Sequence, residues 1–423
     1  MAEEVIIVRE SKNISGVVRA SGAKNSALKL IAAALLGQGR TVLHNVPHIS
    51  DIEIMNEVLR CLGAEVIREG DTVIVDTKNA EKYKTPYELV SKMRASISIM
   101  GPLIGRFGQA QVAMPGGCQI GARKIDMHLK VLEAMGVEFK NEKGYLCASS
   151  PNGLHAVDVF LDFPSVGATE NMLMAAVTVP GVSTIENAAR EPEIVDLANM
   201  LNAMGARVEG AGTPCITVTG VSLSELHPCE HTVVGDRIEA GTFLTAGALL
   251  GGPVTVEGID PSFLRMALNK LKDMGCEVET TKDSITVSRT NPLKPVDIQT
   301  LPHPGFPTDL QAQFMLLDAC AQGKSIITEN IFENRFMFAF ELNRMGSNIS
   351  IEGHHAIVEG VSHLEGAPVA STDLRGGAAL VIAGLAAEGE TIVRDIFHID
   401  RGYEDYVGKL RKLGADIERA EID

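Results

Sequence analysis

The stretch Leu201–Glu209, "LNAMGARVE", ends one sequence pattern and begins another. Leu201 and Met204 close an apolar stripe at helical spacing, and the residues after the glycine alternate between the two polarities as a strand does. Glycine adopts a left-handed backbone without steric cost, so it commonly follows the end of a helix. The stretch therefore predicts a helix that stops at Gly205 and a strand directly after it.

The same pattern occurs six times along the chain. The intervals between its glycines are 68 to 73 residues, and the glycines are Gly63, Gly136, Gly205, Gly275, Gly346 and Gly414. Even spacing of this kind indicates a repeated structural unit. Each glycine is preceded by a further helix and strand and followed by two strand-like runs. Each unit therefore reads helix, strand, helix, strand, strand, and the fold class is mixed α/β.

Two copies also carry signals for the start of the second helix. In the first copy, Ser50 and Glu53 predict a capping box, followed by an apolar stripe of Ile54, Met55, Val58, Leu59 and Leu62. In the fourth copy, Pro261 suits a first helical turn, and the stripe continues through Leu264, Ala267, Leu268 and Leu271.

The two ends of the chain complement each other. The sixth copy runs out at "GADIERAEID" without its second strand, and the N-terminal "EEVIIVRES" resembles that strand. We expect the N-terminal segment to complete the C-terminal half. Six units then divide into two sets of three with linkers near residues 22 and 232, which gives domains at 23–232 and at 1–22 plus 233–423. A continuous solenoid is the alternative, and this closure disfavours it.

Composition excludes several classes of protein. The 423 residues are 45% hydrophobic, carry a net charge of −16 and include no tryptophan. A broad nucleic-acid surface needs clustered cations, so we expect no nucleic-acid partner. The longest apolar runs are shorter than the roughly 20 residues that span a bilayer, and the N-terminus lacks a signal-peptide pattern. We therefore expect a soluble, cytoplasmic protein without a membrane partner.

The cysteine pattern bears on redox state and metal binding. Seven cysteines occur without a CxxC pair. That pattern is typical of reduced thiols rather than of a disulfide framework or a zinc site. Clustered histidines or cysteines at ligand spacing are also missing from the sequence, so we expect neither a catalytic metal nor a cofactor.

Charged residues recur where the helices of each unit begin. These junctions carry Lys24, Arg94, Arg123, Arg190, Arg237, Arg335, Arg375 and Arg401. Carboxylates at such places act as caps, but a cation there is mildly unfavourable. Arginine also presents a planar fork that matches carboxylate and phosphate. The cations therefore predict junctions that converge on an anionic ligand, with solvated arginines as the alternative. The "SGAKNS" stretch around Lys24 does not match a phosphate-binding P-loop.

One thiol lies in an unusual setting, the stretch Met114–Arg123, "MPGGCQIGAR". Neighbouring glycines disfavour a helix or strand interior. A mobile thiol beside a cation favours the thiolate, so Cys118 is a candidate reactive group. A surface loop with an incidental cysteine is the alternative.

The chain resembles the UDP-N-acetylglucosamine enolpyruvyl transferases nearly end to end. The motifs that carry the resemblance are "SGAKN", "MRAS", "PGGCQIGAR", "SVGAT", "NAAREPEI", "DRIEAGTFL", "HPGFPTDLQAQF", "FENRF", "TDLR" and "HIDRGY". The resemblance implies a two-domain inside-out α/β barrel, in which each domain has three βαβαββ units and the active site lies in the cleft between the domains. It also implies that the Cys118 loop closes over the substrate as a lid.

The resemblance implies a definite reaction. The 3-hydroxyl of UDP-N-acetylglucosamine adds to C2 of phosphoenolpyruvate, a tetrahedral adduct forms, and phosphate leaves as the enolpyruvyl ether is made. This is the first committed step of peptidoglycan synthesis.

The resemblance also assigns residue roles. Lys24, Arg123 and Arg401 would hold phosphoenolpyruvate, with Arg375 near its carboxylate, and Arg94 and Arg335 would assist closure or binding. Asp309 would be the base for the sugar hydroxyl, and Asp373 a second candidate for proton handling. Cys118 would act as the acid at C3 or in product release, and it could form a covalent adduct with phosphoenolpyruvate. Contacts to the UDP-sugar would come from Asn25, Lys124, Ile125, Asp126, Met127, His128, Ser165, Val166, Gly167 and Ile331.

The chain departs from the family pattern at one place. Some members have Lys-Val before "SVGAT", where this chain has Phe163 and Pro164, so a lysine contact to the diphosphate would be missing.

A catalytically silent UDP-sugar-binding paralogue is opposed by the intact Cys118, Asp309 and Lys24. An RNA-end-processing enzyme of related architecture is opposed by the acidic charge. We expect a monomer or a weak oligomer.

Overall fold

The computed structural model describes residues 3–90, 94–114, 120–121 and 125–422, the side chains of 94–96 excepted. These residues form two compact units. The N-terminal unit comprises residues 22–90, 94–114 and 125–234, and the C-terminal unit comprises residues 3–21, 120–121 and 235–422. Within the described ranges, every helix is too short or too polar to cross a membrane.

Helices occur in both units. Those of the N-terminal unit are α1 (Lys24–Ala33), α2 (Ser50–Leu62), α3 (Tyr87–Val90), α4 (Met100–Phe107), α5 (Asp126–Ala134), α6 (Val166–Ala176) and α7 (Pro192–Ala203). Those of the C-terminal unit are α8 (Arg237–Leu250), α9 (Arg265–Asp273), α10 (Gln311–Ala319), α11 (Met337–Arg344), α12 (Leu374–Ala386), α13 (Phe397–Asp400) and α14 (Tyr406–Lys412). Short 3₁₀ segments cover Ala34–Leu36, Arg94–Ile99, Leu223–Glu225, Pro261–Leu264 and Thr308–Leu310.

The strands are short and follow the helices in a regular order. They are β1 (Glu3–Arg9), β2 (Gly16–Arg19), β3 (Arg40–His44), β4 (Glu65–Glu69), β5 (Thr72–Asp76), β6 (Gln109–Ala113), β7 (Glu138–Glu142), β8 (Tyr145–Ser149), β9 (Asp158–Phe160), β10 (Gly181–Glu186), β11 (Arg207–Glu209), β12 (Cys215–Gly220), β13 (Glu230–Thr232), β14 (Val254–Glu257), β15 (Glu277–Thr280), β16 (Ser284–Ser288), β17 (Ile298–Gln299), β18 (Lys324–Thr328), β19 (Asn348–Glu352), β20 (His355–Glu359), β21 (Leu364–Glu365), β22 (Pro368–Ala370), β23 (Ala387–Glu388), β24 (Glu390–Arg394) and β25 (Ile417–Ile422).

The predicted repeat is confirmed at each of its six glycines. All six have φ between 88° and 103°, in the left-handed region, immediately or one residue after the end of α2, α5, α7, α9, α11 and α14. A side chain at such a φ is strained, which explains why glycine recurs there. The prediction of mixed helices and strands in six repeated units is therefore confirmed.

The two helix-start signals fared differently. Pro261 lies in the first turn of a 3₁₀ segment that leads into α9, and Asp260 caps that turn. The capping box at Ser50 is wrong: Ile49 is the N-cap, Ser50 is already helical, and no side chain caps α2. The Glu53 carboxylate instead accepts from Arg68 Nε of β4, at 2.8 Å. A tertiary ion pair has replaced the local cap.

The third repeat shows the sheet topology of the unit. Its strands lie in the order β11-β12-β10-β9, with β10 parallel to β9 and antiparallel to β12. The sheet of the sixth repeat has the order β22-β24-β1-β25. Ile6 of β1 lies opposite Val393 of β24 and Arg419 of β25, and both pairings are antiparallel. The N-terminal strand thus takes the position that β12 has in the third repeat.

In two other repeats, one strand comes from a distant part of the chain. It is the leading strand, which pairs parallel with the strand that follows the first helix of the repeat, as β9 pairs with β10 in the third repeat. In the first repeat, β13 pairs parallel with β3. In the fourth, β2 pairs parallel with β14. Each exchange stays inside one unit, because β13 belongs to the N-terminal unit and β2 to the C-terminal unit.

The first helix of a repeat is buried on nearly all sides. Every residue of α8 except Leu250 is buried, and α8, α10 and α12 pack against one another. Alanine, glycine and leucine make up most of α8 and α12. Strands such as β3 and β16 alternate between buried residues and residues that are at least partly exposed, so one sheet face covers the helices and the other is turned toward solvent. Each unit thus has buried helices, an outer layer of sheet and its own apolar core.

Candidate active site

Asp309 of the C-terminal unit lies between two buried arginines. It belongs to the turn Thr308–Leu310 that leads into α10. Arg335 Nη2 lies 2.9 Å from Asp309 Oδ1, and Arg375 Nη2 lies 3.3 Å from Oδ2. The arginine side chains are 4% and 3% exposed, whereas that of Asp309 is 26% exposed. The carboxylate is therefore the member of the cluster that solvent can reach.

The electrostatics of this cluster favour an ionised Asp309. Burial alone would raise its pKa, but Arg375 and Arg335 outweigh that effect and hold the pKa of Asp309 well below its usual range. Arg237, the first residue of α8, lowers it further. Three arginines from the fourth, fifth and sixth repeats thus act on one carboxylate. They do so from helix-start junctions, where the sequence predicted an anion.

Glu329 holds the two loops that carry Asp309 and Arg335. Its side chain is almost fully buried, and Thr300 and Thr308 donate to its two carboxylate oxygens at 2.8 and 2.9 Å. The backbone N–H groups of Ile331 and Phe332 donate to the same carboxylate. Glu329 therefore fixes the Thr308 turn and the 331–335 segment relative to each other. Ile331, an expected sugar contact, is half-buried here.

Arg375 and Asp373 lie at the start of α12 but differ in their bonds. Asp373 caps the helix, because its Oδ1 accepts from the N–H groups of Arg375 and Gly376. The Arg375 guanidinium lies 5.3 Å from the ring centroid of Tyr403. Within the described residues, its Nε and Nη1 atoms have no hydrogen-bond partner although they are buried. These nitrogens leave N–H donors that an incoming anion could engage with charge-assisted hydrogen bonds.

Arg401 follows α13 and is half-buried. Its charge is felt at His398, one turn earlier. Burial lowers the pKa of His398, and Arg401 lowers it further. The His398 imidazole is therefore kept neutral beside Arg401 at neutral pH.

In the N-terminal unit, Lys24 begins α1 and pairs with a buried carboxylate. Its Nζ lies 2.8 Å from Asp51 Oδ2, and the two side chains are 9% and 2% exposed. Asn25 is half-buried, and its carbonyl accepts from Lys29 Nζ at 2.9 Å. Lys29 also lies 3.4 Å from Glu170. Burial raises the pKa of Glu170 to about 7 against the opposing effect of Lys29.

The expected sugar contacts lie at the starts of α5 and α6. Ile125 precedes α5, and the first three residues of α5 are Asp126, Met127 and His128. Ser165 caps α6 by accepting from the N–H of Ala168, and Val166 and Gly167 begin that helix. The two starts are in contact, because His128 packs against Gly167. The structure therefore brings together His128, Ser165, Val166 and Gly167 of the predicted set.

Four predicted residues cannot be located with their side chains. Cys118, Arg123 and Lys124 lie outside the described residues, as does the side chain of Arg94. Next to them in sequence, Ile120 groups with the C-terminal unit, where its carbonyl accepts from the Asn334 N–H at 3.0 Å. Across the described ranges, no three His, Cys, Asp or Glu side chains are arranged to hold a metal ion.

Sequence reasoning left four residues out of the predicted site. Arg237 was among the predicted junction cations but received no role. Asp51 lies at the start of α2, and a search for an opposite charge to pair with Lys24 would have drawn attention to it. Asn171 is the last residue of the helix-start junction "SVGATEN", whereas Glu329 carried no such signal. Their importance comes from buried hydrogen bonds to residues distant in sequence.

Fold and site together define an enolpyruvyl transferase. The enolpyruvyl transferase NikO from Streptomyces tendae superposes with a TM-score of 0.91, 28% identity and full coverage of both chains. The EPSP synthase from Acinetobacter baumannii shares the fold, with a TM-score of 0.75 at 17% identity over 99% of this chain and 100% of that one.

The sequence comparisons narrow the class. The chain belongs to the EPSP synthase (3-phosphoshikimate 1-carboxyvinyltransferase) family, whose model matches residues 8–410, and within it to the UDP-N-acetylglucosamine 1-carboxyvinyltransferases. The relative of that name from Finegoldia magna is 50% identical over 99% of this chain and 100% of its own length. The UDP-N-acetylglucosamine 1-carboxyvinyltransferase 1 of Staphylococcus aureus is 50% identical over 98% of this chain and 99% of its own length.

Proposed function

We propose that this protein transfers the enolpyruvyl group of phosphoenolpyruvate to the 3-hydroxyl of UDP-N-acetylglucosamine and releases phosphate. Relatives named UDP-N-acetylglucosamine 1-carboxyvinyltransferase share half of the residues of this protein over nearly the whole chain. The geometric observation that carries the proposal is Asp309, a carboxylate reached by solvent and held by two buried arginines. Such a group can accept a hydroxyl proton beside a site for an anionic substrate. The reaction opens peptidoglycan synthesis.

The cationic residues would bind phosphoenolpyruvate. Lys24, Arg123 and Arg401 would hold the substrate, with Arg375 at its carboxylate, and Arg94 and Arg335 would assist binding or closure. The two Arg375 nitrogens without a partner among the described residues, Nε and Nη1, support that role, because a buried guanidinium gains charge-assisted hydrogen bonds from an incoming carboxylate. Lys24 is already paired with Asp51, so the substrate would have to share or displace that ion pair.

Asp309 would accept the proton of the sugar hydroxyl as the oxygen attacks C2. Its pKa is held low, which keeps it ionised but makes it a weak base, and a general base works best with a pKa near the working pH. An anion that draws Arg375 and Arg335 away would raise the proton affinity of Asp309. Substrate binding would in this way switch on its own base.

Proton transfer at C3 would involve the thiol of the lid loop. Cys118 would donate the proton to C3 during addition. The Cys118 thiolate would then take a proton back from C3 as the bond from C2 to the phosphate oxygen breaks, phosphate would leave with the bonding electrons, and the enolpyruvyl ether would result. Asp373 is a second candidate for proton handling, and only its Oδ2 is suited to it because Oδ1 caps α12.

The UDP-sugar would contact Asn25, Lys124, Ile125, Asp126, Met127, His128, Ser165, Val166, Gly167 and Ile331. The contact between His128 and Gly167 supports a shared surface for part of this set. At the departure from the family, Phe163 is 41% exposed just before α6, so an aromatic ring stands where some members have a lysine.

The location and the oligomeric state of the protein belong to the same proposal. A cytoplasmic location is supported by six cysteines that are free thiols in the described part of the chain. We also propose a monomer or a weak oligomer, which gel filtration over a range of concentrations would test.

The decisive test is phosphate release after the purified protein is mixed with both substrates. Release that requires both substrates is expected. A folded protein that binds UDP-N-acetylglucosamine but releases no phosphate would favour the alternative, a regulatory paralogue without catalysis.

A second test concerns Cys118. Fosfomycin, the epoxide antibiotic that alkylates this thiol in the family, should add once to the wild type and not to Cys118→Ala. Cys61→Ala is the matched control, because Cys61 is an exposed free thiol. Intact-mass spectra that show equal labelling of both variants would contradict the assignment.

A further inference from the structure

His128 is held between two helices of the N-terminal unit. It is the third residue of α5, and only 9% of it is exposed. On one side, its Nδ1 lies 2.8 Å from the side-chain nitrogen of Asn171 in α6. On the other, a Cβ atom built on Gly167 would lie 2.4 Å from its Cε1 and 2.7 Å from its Nε2. Only glycine at position 167 leaves room for the imidazole.

Two backbone groups fix the orientation of the Asn171 amide. Asn171 is fully buried, and its Oδ1 accepts from the N–H of Gly101 at 2.7 Å. Its Nδ2 donates to the carbonyl of Ile97 at 3.2 Å. A backbone N–H can only donate and a carbonyl can only accept, so a flipped amide would lose both bonds. The Asn171 atom that meets His128 is therefore a donor.

A donor at this place decides the protonation state of the imidazole. Since Asn171 Nδ2 donates, His128 Nδ1 must accept, and it carries no proton. The ring is then neutral with its single proton on Nε2. Its position against the first turn of α6 acts in the same direction, because the N-terminal end of a helix dipole disfavours an imidazolium.

We infer that Asn171 is a positioning residue that fixes His128 as the neutral tautomer with the proton on Nε2. At Nε2, the His128 ring then carries a hydrogen-bond donor and no acceptor. Such a group donates to an oxygen of a diphosphate, a carbonyl or a hydroxyl, and it does not accept a hydrogen bond from an N–H or O–H of a ligand. The choice of the UDP-sugar as that ligand rests on the proposed function, whereas the tautomer rests on Asn171, Gly101 and Ile97 alone.

The tautomer is measured by nitrogen-15 NMR of protein labelled at histidine, through long-range correlations between ring carbon-bound protons and ring nitrogens. The His128 pattern is assigned by its loss in His128→Gln. At neutral pH we expect an unprotonated Nδ1 and a protonated Nε2. The opposite tautomer, or an imidazolium, in the wild type would overturn the inference without any variant.

Asn171→Asp tests whether Asn171 sets the tautomer. The carboxylate still accepts from Gly101 but turns an acceptor toward His128, so Nδ1 should become protonated. Asn202→Asp is the matched control: Asn202 in α7 also bridges a backbone N–H and a carbonyl, both of Val208, and does not contact His128. An unchanged Nδ1 signal in a folded Asn171→Asp protein would refute the positioning role.

The ligand part has its own measurement. Added UDP-N-acetylglucosamine should shift the His128 Nε2–H resonance and leave Nδ1 unprotonated, and an Nε2 signal that does not move would overturn the donor role. Phosphate release reports the proposed function independently, so failure of that function and failure of the tautomer give different results.

Discussion

Solvent reaches the side chain of Asp309, and two buried arginines, Arg335 and Arg375, hold its charged carboxylate in place. The sequence motifs led to Asp309, Arg335 and Arg375 separately. Their pairing could not be read from the sequence, because the partners are 26 and 66 residues from Asp309 along the chain. Residue identity was therefore predictable from local motifs, whereas the low pKa of Asp309 depends on tertiary packing.

Asp309→Asn should lower turnover by about 10²- to 10⁴-fold, since the amide cannot accept the hydroxyl proton. The fold should survive, because a carboxamide still accepts from Arg335. Steady-state phosphate release measures the effect, and circular dichroism checks the fold. Asp260→Asn is the control, a carboxylate that caps a turn in the fourth repeat. Near-normal turnover of Asp309→Asn would remove the base from the mechanism.

Glu329→Gln should loosen the two loops that carry Asp309 and Arg335. The amide replaces one of the two acceptor oxygens that serve Thr300, Thr308 and two backbone N–H groups. Losing buried acceptors costs about 1–3 kcal/mol, so the free energy of unfolding in urea should fall by that amount and turnover should fall with it. Unchanged turnover in the destabilised variant would show that the hydrogen bonds of Glu329 stabilise the fold but do not affect catalysis.

Among the elements, helix ends were easier to predict than helix starts. Glycine at a helix end answers a local backbone demand, and all six were predicted correctly. The cap at Ser50 failed because Arg68, fifteen residues beyond Glu53, takes that carboxylate. Where a side chain has a choice between a local and a tertiary partner, the sequence pattern alone does not decide.

Asp318 of α10 predicts a pH-dependent stability. Burial raises its pKa to about 7, with Asp297 adding to the effect and the Val296 N–H and Lys270 opposing it. The native state therefore keeps a proton that the unfolded chain has lost, and stability falls as the pH rises toward that value. From about pH 5 to about pH 8, this group should lower the free energy of unfolding by about 2 kcal/mol.

The Asp318→Asn variant isolates that contribution. Other carboxyl groups with a raised pKa, such as Glu170 and Glu239, remain in both proteins. When the free energy of unfolding in urea is measured across pH for the wild type and the variant, the difference between the two series therefore belongs to Asp318. The variant should show the shallower decline with pH. Parallel series would mean that Asp318 is ionised in the native state.

For the whole molecule, counting repeats predicted the class and the need for one extra strand. The six glycines gave the number of units, and the incomplete last copy pointed to the N-terminal strand. The leading strands β2 and β13 could not be predicted, because segments of three or four residues have no measurable period. Their partners became visible only from the register of the sheets.

Ile6→Ala should destabilise the C-terminal unit by about 2–5 kcal/mol, the usual range for a large core residue cut to alanine. Ile6 is fully buried in the strand between β24 and β25. Val17→Ala is the matched control, because Val17 lies in the neighbouring strand β2 and is 55% exposed. Urea unfolding gives the size of the effect, and hydrogen exchange should show protection lost first in β24 and β25. Equal effects of the two substitutions would contradict the central place of β1.

The position of β1 has a consequence during synthesis on the ribosome. Its partner in β24, Val393, is translated long after Ile6, and at about 5–20 residues per second the wait lasts from roughly 20 seconds to more than a minute. Throughout that time Val5, Ile6 and Val8 have no sheet to enter, although all three are fully buried in the finished protein. A nascent apolar strand left open in this way invites chaperones or neighbouring chains on the polysome. The residues between the two strands include the whole N-terminal unit, which can complete its own core while the first strand is still waiting.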